Sequence, residues 1–229
     1  MKRIGVYGGT FNPIHVGHLR AAEEVAESLE LERVLFVPSA TPPHKSETPA
    51  DGIAPAALRL AWTQLAIADN PRFAVDAIEV ERGGASFLVD TLRALRERLA
   101  PAELVFLVGS DAFAEMGAWR APRELFALAH YAVIVRPPLR GGRLGDWLPE
   151  IARADVEIAS DGRSARHRTA ATRIELVEIA GFEVSASDVR RRLREGRSVR
   201  YLLPEPVHQA VLASGAYRAA AERRGGRSA

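Results

Sequence analysis

The chain has no cysteine, which excludes disulfide staples, thiol nucleophiles, iron–sulfur clusters and thiolate zinc sites, and leaves any metal to histidine, carboxylate or a bound substrate. Lysine is nearly absent too: Lys2 and Lys45 are the only two among 31 basic residues, so arginine supplies the surface cations and the lone internal lysine stands out. No run approaches the roughly 18 consecutive apolar residues of a membrane span, and the opening Met1-Lys2-Arg3-Ile4-Gly5-Val6-Tyr7-Gly8-Gly9 lacks the apolar stretch of a signal peptide. The expectation is a cytoplasmic protein without a membrane partner. Charge of one sign is scarce as well: 31 basic against 29 acidic residues give a net +2. That is a weak hint of anionic ligands and no argument for nucleic acid, which asks for cations gathered on one face.

What is present is ordinary for a globular protein: 229 residues, 47% hydrophobic and 26% charged. At about 150 residues per domain this predicts a single domain with trimmings, here residues 1–217, followed by an Arg, Gly and Ala-rich tail over 218–229 that is expected to fray. Arg3 to Tyr7 reads as a buried strand running into Gly8-Gly9, and Leu19, Ala22, Val25, Ala26 and Leu29 form the stripe of a following helix. Further strands are expected over 33–37, 73–80 (with a slip of apolar phase after Ala77), 104–108, 131–135 and 174–179, the last extended by 182–184. Helices are expected over 54–68, 88–99, 111–116, 122–129 and 187–195, with a closing helix to Ser214. Residues 139–172 carry little pattern and read as irregular. Buried strands alternating with helices predict an α/β fold, a doubly wound parallel sheet of the Rossmann-like kind with a small helical portion at the C-terminus.

The strongest chemical signal is Gly8-Gly9-Thr10-Phe11-Asn12-Pro13-Ile14-His15-Val16-Gly17-His18, between the first strand and the first helix. Open α/β sheets bind ligands at such strand ends, and a helix N-terminus there offers unpaired N–H groups and a positive dipole end, a natural seat for phosphate. Gly8 and Gly9 would let the main chain approach a polyphosphate and Thr10 would add a hydroxyl donor. His15 and His18, three apart, are expected to project from one side of the first turn, with Gly17 leaving room for an oxygen-bearing ligand. Two imidazoles at one phosphate suit developing negative charge. Alone each histidine would read as a cap or core residue; a zinc site is the rival for the pair and lacks a carboxylate partner at helical spacing.

This motif resembles that of the nucleotidyltransferases with a His-x-Gly-His sequence, and within them the bacterial nicotinate mononucleotide adenylyltransferases. The likeness runs to about Tyr217. It includes Val37-Pro38, Pro42-Pro43-His44-Lys45, Leu65-Ala66-Ile67-Ala68-Asp69-Asn70-Pro71, Ser86, Asp90-Thr91-Leu92, Gly109-Ser110-Asp111, Trp119, Val184-Ser185-Ala186-Ser187-Asp188-Val189-Arg190 and Leu202-Leu203-Pro204. The resemblance implies adenylyl transfer from ATP, with Mg²⁺ carried on the triphosphate and no tightly bound cofactor, to nicotinate mononucleotide, releasing pyrophosphate. It implies that His15 and His18 hold the α- and β-phosphates, that Arg190 grips the β- and γ-phosphates beside Ser185 and Ser187, and that Lys45 and His44 help neutralise them. Gly8, Gly9, Thr10, Phe11, Gly109, Asp111 and Arg136 would meet ATP, the aspartate at its ribose; Thr10, His44, Ser86 and Trp119 would meet the mononucleotide, the indole against its ring.

The sequence departs from that family twice: Asn12 stands where the family usually has Asp, and Ser86-Phe87-Leu88 stands where it tends to have Ser-Tyr-Thr, so a hydroxyl is missing at Leu88. Competing readings are the same transfer to nicotinamide mononucleotide, phosphopantetheine or a small sugar phosphate, and a non-catalytic nucleotide-binding module. Class I aminoacyl-tRNA synthetases share a similar motif, but this chain is too short and lacks a Lys-Met-Ser-Lys-Ser stretch. The oligomeric state, a homo-oligomer included, is left open.

Overall fold

A computed structural model describes residues 2–42, 52–136 and 142–217. In chain order the elements are β1 (Arg3–Gly9), α1 (Val16–Ser28), β2 (Arg33–Pro38), α2 (Ala56–Ile67), β3 (Phe73–Val75), α3 (Ile78–Arg82), α4 (Leu88–Leu99), β4 (Glu103–Gly109), α5 (Ser110–Ala114), α6 (Pro122–Leu128), β5 (His130–Val135), α7 (Leu144–Trp147), α8 (Glu150–Arg153), β6 (Val156–Ile158), β7 (Ser164–His167), β8 (Arg173–Glu178), α9 (Ala186–Arg194) and α10 (Glu205–Ser214). The strands form one eight-stranded sheet in the order β3-β2-β1-β4-β5-β8-β7-β6. The first six in that order are parallel, and β7 and β6 close the edge antiparallel.

Period-two alternation sends successive side chains to opposite faces, and the central strands obey it. Val105 and Leu107 of β4, with Ala132 and Ile134 of β5, enter the layer under α1, α2, α9 and α10. Leu104, Phe106 and Val108, with Tyr131, Val133 and Val135, enter the layer under α4, α5 and α6. Burial on both faces explains why these strands read as continuous apolar runs. Helices of four or five residues such as α5 fall far short of the ~12 residues that an isolated helix needs. Packing holds α5 and the turn after it: Phe113 and Met116 are fully buried.

The order reverses at β1. The chain leaves β1 for β2 on one side, and β4 pairs with β1 on the other, so the carboxyl ends of β1 and β4 face a crevice at the switch point where such sheets take ligands. Three sequence expectations are corrected. The strand expected over 73–80 ends at Val75 and the chain re-forms as α3, so the slip of apolar phase marks a change of element. Residues 142–172, expected to be irregular, hold α7, α8 and the β6–β7 hairpin; these elements are only three or four residues long, too short to show a period. Residues 182–184 do not extend β8, which stops at Glu178; the Glu24 carboxylate instead accepts the main-chain N–H groups of Ala180 and Gly181 and ties this loop to α1. The tail expected over 218–229 lies outside the described residues.

Candidate active site

The turn after β1 is built around rings. Phe11 adopts φ 45°, a left-handed conformation uncommon for a non-glycine residue and a recurrent mark of functional turns. Its side chain, 2% exposed, packs edge-on against Tyr7 and His18 with centroids 5.7 and 5.2 Å away. The Phe11 side chain is committed to packing, so its expected place at ATP would be through its main chain. A Cβ on Gly9 would stand 3.0 Å from the Phe11 ring, and one on Gly8 would stand 3.3 Å from that of Phe106. The two glycines make space for aromatic packing as well as for a ligand, and both, with Thr10, line a cavity of about 320 Å³.

The two histidine rings lie together, as expected, but only His18 belongs to the helix. His15 is the extended N-cap of α1 and His18 lies in its first turn; their rings stack with centroids 3.7 Å apart and planes 28° from parallel. His18 Nδ1 accepts the main-chain N–H of His15 at 3.2 Å, pinning the ring to the start of the helix, and His18 stays half-buried. His15 is 3% exposed and its Nδ1 is sealed from solvent, so the expected pair of open rings is one partly open ring backed by one buried ring. Burial, then the Arg136 guanidinium, push the His15 pKa down to about 4, making it a neutral hydrogen-bonding group near pH 7. Gly17 does not hold space for a ligand: a Cβ there would meet His15 Nδ1 at 3.1 Å and the Phe182 carbonyl at 3.5 Å. It is the His15 ring that needs the room.

Arg190 reaches this turn from α9, on the same face of the sheet as α1. One terminal nitrogen donates to the Asn12 carbonyl at 2.8 Å and the other to Ser187 Oγ at 3.2 Å. Ser185 caps α9, its hydroxyl accepting the Asp188 N–H at 3.1 Å, the role its place before the basic run predicts. Arg191 and Arg192 turn to Asp188 on the surface, as a solvated face does. Gly109 and exposed Asp111 stand at the carboxyl end of β4, and exposed Arg136 follows β5, close enough to act electrostatically on His15 and Tyr7. His44 and Lys45 lie outside the described residues.

Beside the histidine turn, the cavity is lined by Ser39, Ser86, Phe87, Leu88, Trp119 and Arg120 as well as Gly8, Gly9 and Thr10. Three of the four residues expected at a mononucleotide, Thr10, Ser86 and Trp119, thus meet in one cavity. Ser86 Oγ accepts the Ala40 N–H at 2.9 Å. Phe87 and Leu88 bring the N-terminus of α4 to the wall, where the first helical N–H groups have no partner within the helix. Leu88, the departure at the missing hydroxyl, makes this wall more apolar.

Asn12, noted in the sequence as a departure from the family, and two residues that sequence reasoning passed over, Arg59 and Tyr217, hold the turn from behind. Asn12, 4% exposed, accepts the Ala54 N–H at 3.0 Å and donates to the Gly52 carbonyl at 3.1 Å, and the Tyr217 hydroxyl donates to the same Asn12 Oδ1. Arg59, 1% exposed, donates to three main-chain carbonyls. Its signal was in the sequence: Arg59 falls in phase with Trp62, Thr63 and Ala66 on the buried stripe of α2. Among the described residues no group of three or more His, Asp or Glu side chains is placed to hold a metal ion, and no helix is long and apolar enough to cross a membrane.

Residues 6–192 match the cytidylyltransferase-like family. A protein of Thermomicrobium roseum is 40% identical over 218 residues, covering 95% of this chain and 92% of its own. One of Marinobacter nauticus is 45% identical over 219 residues, covering 93% and 96%. Both carry the name "Probable nicotinate-nucleotide adenylyltransferase". Among solved structures, the nicotinic acid mononucleotide adenylyltransferase of Plasmodium falciparum complexed with NaAD superposes with a TM-score of 0.71 at 15% identity, covering 95% of this chain and 98% of that one. At that identity the likeness speaks for the fold.

Proposed function

We propose a function for a chain that belongs to the cytidylyltransferase-like family, and within it to the nicotinate-nucleotide adenylyltransferases: it transfers the adenylyl group of ATP to nicotinate mononucleotide, forming the deamido dinucleotide and pyrophosphate. The observation that carries this reading is the junction of two sites at one turn. Arg190 bonds the main chain of the turn that leads into the His15–His18 stack, and Thr10 of the same turn opens onto the cavity holding Ser86 and Trp119. A triphosphate held at the first and a mononucleotide held at the second put an attacking phosphate oxygen next to the α-phosphorus. The chemistry needs no protein nucleophile. The acceptor phosphate attacks in line, the bond to the bridging oxygen breaks, and pyrophosphate leaves with the electron pair, so catalysis is positioning and charge stabilisation.

In this reading His18 Nε2–H donates to the phosphate that accumulates charge, and His15 acts through the remaining edge of its ring. Arg190, with Ser185 and Ser187 at the start of α9, takes the departing pyrophosphate in a charge-assisted grip. Lys45 and His44, which follow β2 in the sequence, help neutralise the phosphates. Gly109 and Asp111 bound the adenosine and Asp111 accepts from the ribose; Arg136 flanks that end. Trp119 offers its flat face to the pyridine ring, and the N-terminus of α4 favours an acceptor whose ring carries a carboxylate. Magnesium arrives as the counterion of ATP.

The test is product identification by mass after mixing the protein with ATP, Mg²⁺ and equimolar nicotinate mononucleotide, nicotinamide mononucleotide and phosphopantetheine. The deamido dinucleotide should dominate. A different adduct would reassign the acceptor, and no adduct with ATP still bound would make the protein a nucleotide-binding module.

A further inference from the structure

We infer that Arg59 is a positioning residue that sets the placement of the donor site relative to the acceptor cavity, by holding the turn after β1 and both ends of the β2–α2 connection on one buried guanidinium. The inference rests on the function proposed above and adds a residue that touches neither substrate. Arg59 lies on α2 and is 1% exposed. Its Nε donates to the Ala54 carbonyl at 2.8 Å, one terminal nitrogen to the Thr10 carbonyl at 2.7 Å and the other to the Ala40 carbonyl at 2.8 Å. Thr10 follows β1, Ala40 follows β2 and Ala54 precedes α2. The guanidinium is a rigid planar fork, so it cannot follow one of these carbonyls without giving up its geometry to the others.

Two of the three grips lead into the site. Thr10 heads the histidine turn and lines the cavity. In a trans peptide the C=O and the next N–H point in opposite directions, so drawing the Thr10 carbonyl to Arg59 turns the Phe11 N–H to the other side of the chain. Ala40 is the second grip: its own N–H donates to Ser86 Oγ at 2.9 Å, which occupies the hydroxyl as an acceptor and leaves its proton to be donated elsewhere. One arm of Arg59 thus fixes the phosphate turn and the other, through Ala40, fixes a polar group of the acceptor cavity.

Stability alone does not account for such a residue. Removing a guanidinium from water costs most of what its hydrogen bonds return, and apolar side chains of similar volume often hold a core as well or better. What an apolar side chain cannot do is fix three main-chain carbonyls of two connections relative to one another.

The test compares R59M, which keeps an unbranched apolar stem and loses all three bonds, with R59K, which keeps the charge and part of the bonding. In folded R59M kcat should fall roughly 10- to 100-fold, the size of effect that a displacement of about 1 Å brings, while KM for each substrate moves less than about threefold. R59K should recover part of the loss, and amide exchange at residues 9–12 and 39–41 should quicken in R59M. Folded R59M with wild-type kcat and unchanged exchange overturns the inference. Should R59M not fold, R59K decides: lowered kcat with steady KM supports the clamp, and wild-type kcat overturns it. If the wild-type protein forms no product, the proposed function fails and exchange alone judges Arg59: faster exchange in those two segments upholds the clamp, and unchanged exchange ends it.

Discussion

His18 Nδ1 accepts the main-chain N–H of His15 at 3.2 Å, and that single contact fixes both the orientation of the ring and the location of its proton. A neutral imidazole that accepts at Nδ1 carries its hydrogen on Nε2, so the helix start presets His18 as a donor. Replacement by alanine removes the cap and the donor together. It should lower turnover about 10²- to 10³-fold and stability by about 0.5–2 kcal/mol. Asparagine, whose side-chain oxygen can take the place of Nδ1, should restore the melting temperature and leave turnover low in steady-state assays. An H18N protein with normal turnover would remove His18 from the chemistry.

The buried partner predicts a pH dependence of stability. The His15 pKa is depressed from 6.5 to about 4, by burial first and by Arg136 second. Between those two values the unfolded chain binds a proton that the folded chain refuses, so stability rises with pH through this window. It is complete above pH 6.5 and falls off as the solution is acidified towards pH 4, by roughly 3 kcal/mol at full amplitude. Carboxylates titrate nearby, so the comparison is with H15Q: urea unfolding at pH 7 and pH 4.5 should show a smaller loss in the variant. Parallel losses would mean that His15 titrates normally in the folded protein.

Much of this architecture is legible in the sequence because its signals are long or chemically rare. Apolar runs such as 104–108 announce buried parallel strands, here Glu103–Gly109, the stripe of Leu92 and Leu95 announces α4, and Gly-Gly-Thr before a histidine pair announces the phosphate turn. What escaped has physical reasons. The β6–β7 hairpin is built of strands of three and four residues, shorter than the window in which a period of two shows itself. That Gly17 makes room for the His15 ring is set by packing at a turn which the Phe182 carbonyl, more than 160 residues away in the chain, also approaches. Asn12 and Arg59 act through main-chain groups of distant loops, which leave no residue-type signature, and Tyr217 acts through the Asn12 side chain 205 residues away.

Trp119 tests the acceptor cavity apart from the chemistry. It lines the wall with Ser86, Phe87 and Arg120. If its face carries the pyridine ring, W119A should raise KM for the mononucleotide about tenfold or more through lost stacking and burial, with KM for ATP nearly unchanged and W119F between the two. A rise confined to ATP would place the adenine, and not the acceptor, against this indole.

Asn12 makes the sharpest case for reading the structure and not the family pattern, which usually places Asp there. Its Oδ1 accepts from the Ala54 N–H and the Tyr217 hydroxyl, and an aspartate could keep both. Its Nδ2 donates to the Gly52 carbonyl at 3.1 Å, and an ionised carboxylate would turn that contact into two facing acceptors in a site only 4% exposed. N12D should therefore lose about 1–3 kcal/mol near pH 7. Burial raises a carboxyl pKa, and the protonated acid can donate again, so the deficit should shrink as the pH falls towards 5. Y217F removes one of two bonds to an oxygen that stays satisfied and should cost less, about 0.5–1.5 kcal/mol, with no such recovery in acid. Denaturant titrations of both variants at pH 7 and pH 5 read all four values, and an N12D protein as stable as the wild type at pH 7 would show that the Gly52 contact contributes nothing.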